Sequence, residues 1–188
     1  NFVMSSAFWG PKYSEENLKS KILNLKSQKV GNLGIRHFDS EQQLIQSVAK
    51  LLADGNIVGW FQDRTEWGPR ALGNRSILAN PCRKDMKDIL NKKIKKREPF
   101  RPFAPSVLEE FTGEYFEQHQ PAPFMEKVYT IKPTMRAKIP AVTHVDGTGR
   151  LQTVNKNEQP RYWRLIKEFS KFTGVPMLLN TSFNESEP

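Results

Sequence analysis

Ile57-Val58-Gly59-Trp60-Phe61 and Ser76-Ile77-Leu78-Ala79 are two short apolar runs separated by the polar stretch from Gln62 to Arg75. Each is too short for a stable helix, and each reads as a buried strand. Between them Gly68, Pro69 and Gly73 stand among Arg64, Arg70 and Arg75. Glycines there let backbone N–H groups approach an anion closely, and guanidinium forks suit its oxygens. The loop lacks the Gly-Lys-Ser/Thr ending of a P-loop, so any phosphate it binds is held by arginine. The plainer alternative is that Arg64 or Arg75 pairs with Asp63 or Glu66 at the surface.

Upstream of this stretch, Ser40 with Gln43 three positions on forms a capping-box pattern, and Leu44, Val48, Leu51 and Leu52 recur at helical spacing. Gly55 is the expected stop. Before it, Ser14-Glu15-Glu16 predicts a polar helix to about Ser27 with a narrow stripe of Leu18, Ile22 and Leu25, broken by Gly31 and Gly34. Residues 1–39 read as a connecting segment, and residues 40–188 as one domain.

Downstream, Met86, Ile89, Leu90 and Ile94 give a helix that Pro99 and Pro102 stop. Strands are expected at Ser106–Leu108, Lys127–Ile131, Leu151–Val154 and Val175–Leu179. Pro160 opens a helix carrying Tyr162, Leu165, Ile166, Phe169 and Phe172, which Gly174 ends. Strands and helices thus both recur along the chain.

Three further segments carry candidate chemistry. In Lys95-Lys96-Arg97-Glu98-Pro99-Phe100-Arg101-Pro102-Phe103 an extended chain would project Lys95, Arg97 and Arg101 from one face, with Phe100 opposite. At about 3.3 Å per residue such a row spans roughly 20 Å, enough for a polyphosphate; a solvated basic edge is the alternative. In Thr143-His144-Val145-Asp146-Gly147-Thr148-Gly149-Arg150, His144 and Asp146 could form an acid/base or orienting pair, although a turn held by the Asp146 side chain accounts for much of the pattern. Asn180-Thr181-Ser182 follows the last strand, where open α/β sheets bind ligands, and period-two alternation aims Asn180 and Ser182 together.

Composition agrees with a packed, anion-binding protein. Of 188 residues 37% are hydrophobic, and four Trp and twelve Phe exceed what a disordered chain carries. The net charge of +9, concentrated between Arg83 and Arg101, favours an anionic partner. Cys82 is a single cysteine, and His37, His119 and His144 fall at no metal-ligand spacing, so no metal site is expected. No apolar run approaches the roughly 18 residues that span a bilayer, and no secretory signal pattern is seen; the expectation is a cytoplasmic protein without membrane contact.

Four segments in this order, Trp67-Gly68-Pro69-Arg70-Ala71-Leu72-Gly73-Asn74-Arg75-Ser76-Ile77-Leu78, Arg97-Glu98-Pro99-Phe100-Arg101-Pro102-Phe103-Ala104-Pro105, His144-Val145-Asp146-Gly147-Thr148 and Leu179-Asn180-Thr181-Ser182-Phe183-Asn184, resemble the carboxyl-terminal domain of the nodulation-type O-carbamoyltransferases. The resemblance implies an α/β fold, a YrdC-like twisted mixed sheet flanked by helices. It implies ATP with Mg²⁺ and carbamoyl phosphate as ligands, and synthesis of carbamoyl-adenylate with release of pyrophosphate. A Kae-like amino-terminal domain of the same polypeptide, holding a metal through histidines and an aspartate, would pass the carbamoyl group to an acceptor hydroxyl. Nucleotide contacts are implied at Arg70, Lys95, Arg97, Arg101, Asn180 and Ser182, with Arg70, Lys95 and Arg101 neutralising charge during reaction. His144 and Asp146 join them as candidates on the reading above.

Two departures stand out. The family pattern has glycine where this chain has Asp63, and family members continue past Pro188 with an apolar segment and a helix, so an exposed apolar surface is expected there. A nucleic-acid-binding domain and a nucleotide-binding module without turnover are the rival classes. The aromatic residues sit mainly in apolar contexts rather than among Lys and Arg, which argues against nucleic acid.

Overall fold

The computed structural model describes Met4 and residues 6–27 and 34–185. Six strands form one mixed sheet in the order β1-β2-β6-β3-β5-β4, with β1 at Val58–Phe61, β2 at Arg75–Ala79, β3 at Ala104–Leu108, β4 at Lys127–Thr130, β5 at Thr148–Val154 and β6 at Met177–Ser182. β3 and β5 run parallel; the other neighbouring pairs are antiparallel. The expected α/β architecture, a mixed sheet flanked by helices, is present.

The helices follow the local signals. α1 spans Glu15–Ser27, and the Ser14 hydroxyl accepts from the Asn17 N–H at 3.2 Å. Leu18 is half-buried and Ile22 exposed, while the side chain of Leu25 and all of Gly31 lie outside the described residues. α2 spans Glu41–Ala53, and the Ser40 hydroxyl accepts from the Gln43 N–H at 3.3 Å as the capping pattern predicts. It buries Ile45, Val48, Ala49 and Leu52 but leaves Leu51 exposed, so the inward stripe is rotated from the expected one.

α3, Met86–Ile89, continues directly as a π-helical segment, Leu90–Lys95. Two short helices follow, α4 at Thr112–Tyr115 and α5 at Pro133–Arg136. α6 spans Pro160–Thr173 with proline in the first turn and Gly174 left-handed at φ 71° as its stop. It buries Tyr162, Leu165, Ile166 and Phe169 at helical spacing, and Phe172 lies outside that face.

α2 and α6 pack together over one face of the sheet, on Trp60, Leu78, Leu108, Val154 and Leu178. The other face is covered by Met86, Leu90, Tyr115, Phe116 and neighbours over Ile77, Val107, Leu151, Met177 and Leu179. Full burial of each such side chain contributes about 1.5–3 kcal/mol, so the two layers hold the sheet rigidly between them.

β6 is longer than its apolar run suggests. It is central, paired with β2 and β3 on its two sides, and Asn180 lies between Leu78 and Ala104. Asn180, Thr181 and Ser182 are therefore ladder residues, fixed on a strand antiparallel to both neighbours. The carboxyl-end rule for parallel sheets does not account for their position.

Residues near the amino terminus also pack on this domain. Ala7 is buried with Leu72, Ala104 and Met125. The Trp67 N–H donates to Ala7 O at 2.6 Å, and the Gly10 N–H to Thr65 O at 2.9 Å.

Candidate functional site

The loop between β1 and β2 is built on one carboxylate. Glu66 is buried, and its Oε1 accepts from the N–H groups of Leu72 at 2.8 Å, Asn74 at 2.8 Å and Arg75 at 3.1 Å. Gly73, at φ 104°, allows the turn; a Cβ there would lie 2.4 Å from the Tyr162 ring. Two of the loop's three arginines are spent on structure. Arg75 donates to the carbonyls of Gln62, Asn74 and Asp63 and stacks over Phe61, and Arg64 donates to Trp9 O. Among the described residues no side-chain ion pair joins either to Glu66 or Asp63, although both carboxylates act on Arg75 through space. Arg70 is exposed and lines a cleft.

Asp63 has φ 43°, a left-handed backbone that glycine adopts most easily. Its carboxylate lies 3.7 Å from Arg161 Nη1 and lines two hollows other than the arginine cleft, so it faces away from the cations at Arg70.

The cleft has two contiguous lobes of about 340 and 440 Å³. Arg70, Arg97 and Arg150 line both; Asn180, Thr181, Ser182 and Asn184 complete the first, and Arg101, Val128 and His144 the second. Arg97 is held by its Nε, which donates to Asn91 Oδ1 at 2.8 Å, and by the Phe103 ring 4.9 Å from its guanidinium carbon. Arg101 Nε lies 3.2 Å from Glu98 Oε2. No Asp or Glu lines either lobe among the described residues. Four guanidinium groups gathered on one cleft present a geometry that matches phosphate oxygens.

The cations do not form the expected extended row. Lys95 closes the π-helical segment, Lys96 turns left-handed at φ 48°, and the Arg97 N–H donates back to Asn91 O. The Arg101 N–H then closes a turn on Glu98 O at 3.3 Å. The prolines do end the helix, but the chain leaves it by turns.

Lys95 itself is fully buried and lines neither lobe. Its ammonium donates to Ser182 O at 2.7 Å, Ser182 Oγ at 2.9 Å, Asn184 O at 3.0 Å and Asn184 Oδ1 at 2.9 Å. It supports the end of β6 from behind. The reason is local: the π-helical segment brings position 95 under the strand, and an ammonium there finds a cage of oxygens.

Asp146 is likewise away from the cleft. Its Oδ1 accepts from the Thr148 N–H at 2.9 Å and the Thr148 hydroxyl at 2.7 Å. Those bonds hold its carboxyl below the usual carboxylate range, and the turn reading describes it. His144 Nδ1 lies 3.1 Å from the same hydroxyl oxygen. With the hydroxyl proton given to Asp146, that contact requires Nδ1–H, which leaves Nε2 as an acceptor. Burial lowers the His144 pKa, Asp146 opposes the shift, and Arg150 and Lys87 reinforce it.

Asn180 is buried and joins the cleft to the interior. Its Nδ2 donates to Ala71 O at 3.0 Å and to Ser106 Oγ at 3.0 Å. The structure thus gathers Arg70, Arg97, Arg101, His144, Asn180 and Ser182 and leaves out Lys95 and Asp146. Arg150 is the cleft residue that the sequence reading passed over. Its signal was alternation along β5, where Leu151 faces the core and Arg150 must face the other way.

Among the described residues no group of three or more His, Cys, Asp or Glu could hold a metal ion, and no helix is long and apolar enough to cross a membrane.

Fold and cleft define a mixed α/β domain with an arginine-lined cleft. Residues 49–188 match the family described as carbamoyltransferase C-terminus. Similar proteins include nodulation protein NolNO of Sinorhizobium fredii, 46% identical over 97% of this chain and 26% of the relative, and nodulation protein NolO of Bradyrhizobium diazoefficiens, 45% identical over 97% and 33%. Nodulation protein U of Rhizobium fredii is 46% identical over 74% of this chain and 24% of the relative. The chain belongs to the carbamoyltransferase C-terminal family. It spans about a quarter to a third of the length of these curated relatives.

Proposed function

We propose that this chain is the nucleotide-handling part of an ATP-dependent O-carbamoyltransferase, working in the cytoplasm. It binds ATP and carbamoyl phosphate in the arginine cleft and forms carbamoyl-adenylate, which a Kae-like amino-terminal domain of the same polypeptide passes to an acceptor hydroxyl. The observation that carries this reading is the convergence of Arg70, Arg97, Arg101 and Arg150 on one cleft.

Carbamoyl phosphate first gives up its phosphoryl group to water, leaving carbamate and inorganic phosphate. A carbamate oxygen then attacks the α-phosphorus of ATP, forming the new P–O bond. The bond from that phosphorus to the β-bridging oxygen breaks, and the electron pair leaves on pyrophosphate. Both partners are anions, so the main barrier is electrostatic, and fixed guanidinium groups lower it without a protein nucleophile. Arg97 and Arg101, already oriented by Asn91 and Glu98, need little reorganisation. Mg²⁺ fits as the companion of the nucleotide: the lining residues supply phosphate-binding donors, and the ion would be held by phosphate oxygens and water.

The test is pyrophosphate release from ATP that depends on carbamoyl phosphate, together with ATP affinity by calorimetry. Arg97→Ala and Arg101→Ala should each weaken ATP binding by about ten- to a hundredfold, the equivalent of losing a charge-assisted hydrogen bond. Unchanged affinity in both folded variants, or absence of pyrophosphate release from the intact enzyme, overturns the reading.

A further inference from the structure

The 66–75 loop carries Arg70 at its exposed end, yet its other end is fixed with unusual completeness. At Leu72 every backbone valence is used. The N–H donates to the buried Glu66 carboxylate at 2.8 Å. The carbonyl oxygen accepts two amide N–H groups, Gln152 Nε2 at 2.8 Å and Gln159 Nε2 at 2.7 Å, which fills both of its lone-pair directions. The side chain is buried against Ala7, Ala104 and Met125.

The two glutamines are themselves buried and mutually aligned. Gln152 Nε2 also lies 3.1 Å from Gln159 Oε1, and Gln152 Oε1 accepts from Ser106 Oγ at 2.7 Å. Gln152 lies on β5 and Gln159 at the start of α6, 80 and 87 positions from Leu72. Burying two primary amides is costly unless their hydrogen bonds are made. An apolar pair here would leave the buried Leu72 carbonyl without a donor, so the amides are explained by the groups they hold.

We infer that Gln152 and Gln159 are positioning residues for Arg70: through the Leu72 carbonyl they fix the loop so that the guanidinium two residues earlier is presented to the cleft. The inference rests on the proposal that Arg70 binds nucleotide phosphate. Neither glutamine lines the cleft, so neither touches ligand; Gln159 acts through the loop, and Gln152, whose Oε1 also accepts from Asn180 Nδ2 at 3.3 Å, acts through the loop and through Asn180. Preorganisation of this kind matters where a cation must meet developing charge without rearranging.

A double-mutant cycle in the intact enzyme that carries this chain tests it, with ATP affinity measured by calorimetry. Gln159→Met keeps volume and removes one donor to Leu72 O. It is expected to weaken ATP binding about tenfold in the parent, and less than about twofold in an Arg70→Ala background. Amide exchange at Leu72, Asn74 and Arg75 should accelerate while exchange in β6 does not. Gln159→Glu, which turns an oxygen toward the same carbonyl, is run in parallel so that a folding failure of one variant leaves the cycle complete. Equal losses in both backgrounds, or no loss in the parent, overturn the inference while leaving the function standing. An Arg70→Ala variant that binds ATP normally overturns the Arg70 contact itself, and the positioning role with it.

Discussion

Lys95 and Arg97 are two positions apart and have opposite fates. Arg97 lies against Phe103 with its guanidinium at the cleft, while Lys95 is fully buried with its ammonium among four oxygens of Ser182 and Asn184. The difference follows from shape. A lysine ends in a compact point charge that a small cage of oxygens can enclose, whereas a guanidinium is planar and stacks on an aromatic face with its edge still available. Lys95→Met would take the buried charged donor from Ser182 and Asn184, where Asn184 Oδ1 keeps only the Ser182 hydroxyl and Ser182 O only the Asn184 N–H, and should destabilise the protein by about 2–4 kcal/mol. Arg97→Ala, at a half-buried position, should cost stability by no more than about 1 kcal/mol. Urea unfolding of the two variants checks the contrast, and equal stability would show that Lys95 is not the support for β6 described above. Nothing in the residues from 95 to 103 alone separates these roles, because the oxygens that enclose Lys95 come from the far end of the chain.

At the scale of elements, the β1–β2 loop shows how local rules and tertiary packing combine. Its glycines were visible as turn residues, but they do different things. Gly68, at φ 113°, has nothing within 4 Å of an added Cβ, whereas Gly73, at φ 104°, would drive its Cβ into the Tyr162 ring. Gly68→Ala should therefore cost about 1 kcal/mol through backbone strain alone. Gly73→Ala adds overlap with a fully buried ring on α6 and should cost about 2–4 kcal/mol. Thermal unfolding of the two variants decides this, and equal losses would mean that Tyr162 gives way freely. The same contrast marks the limit of reading elements from sequence. Ser40 as the cap of α2 and Gly174 as the stop of α6 were legible because capping involves neighbours within a turn. The exit from the π-helical segment was not, because Pro99 and Pro102 forbid a helix without specifying whether the chain then runs straight or turns.

At the scale of the whole molecule, the cleft draws on the β1–β2 loop, the 97–104 turn, β5 and the end of β6, with His144 from the turn before β5. The function proposed above predicts that this chain binds ATP in the cleft but does not by itself transfer the carbamoyl group. Purified alone, it is expected to carry no labelled carbamoyl group from carbamoyl phosphate to a hydroxyl acceptor; label appearing in the acceptor would place the transfer chemistry within these residues. Sequence by itself determined the α/β class, nearly every strand and helix, and the motifs that mark the carbamoyltransferase family. The strands and helices depend on periodicity, capping and turn residues, which act over a few positions, and the class and family were read from the resemblance of four motifs. Tertiary structure alone decided that β6 runs antiparallel between β2 and β3, that Lys95 leaves the cleft, and that Gln152 and Gln159 reach back to Leu72. Each of these depends on groups brought together from distant parts of the chain, or on which side of a strand or turn faces them, and local pattern does not encode that.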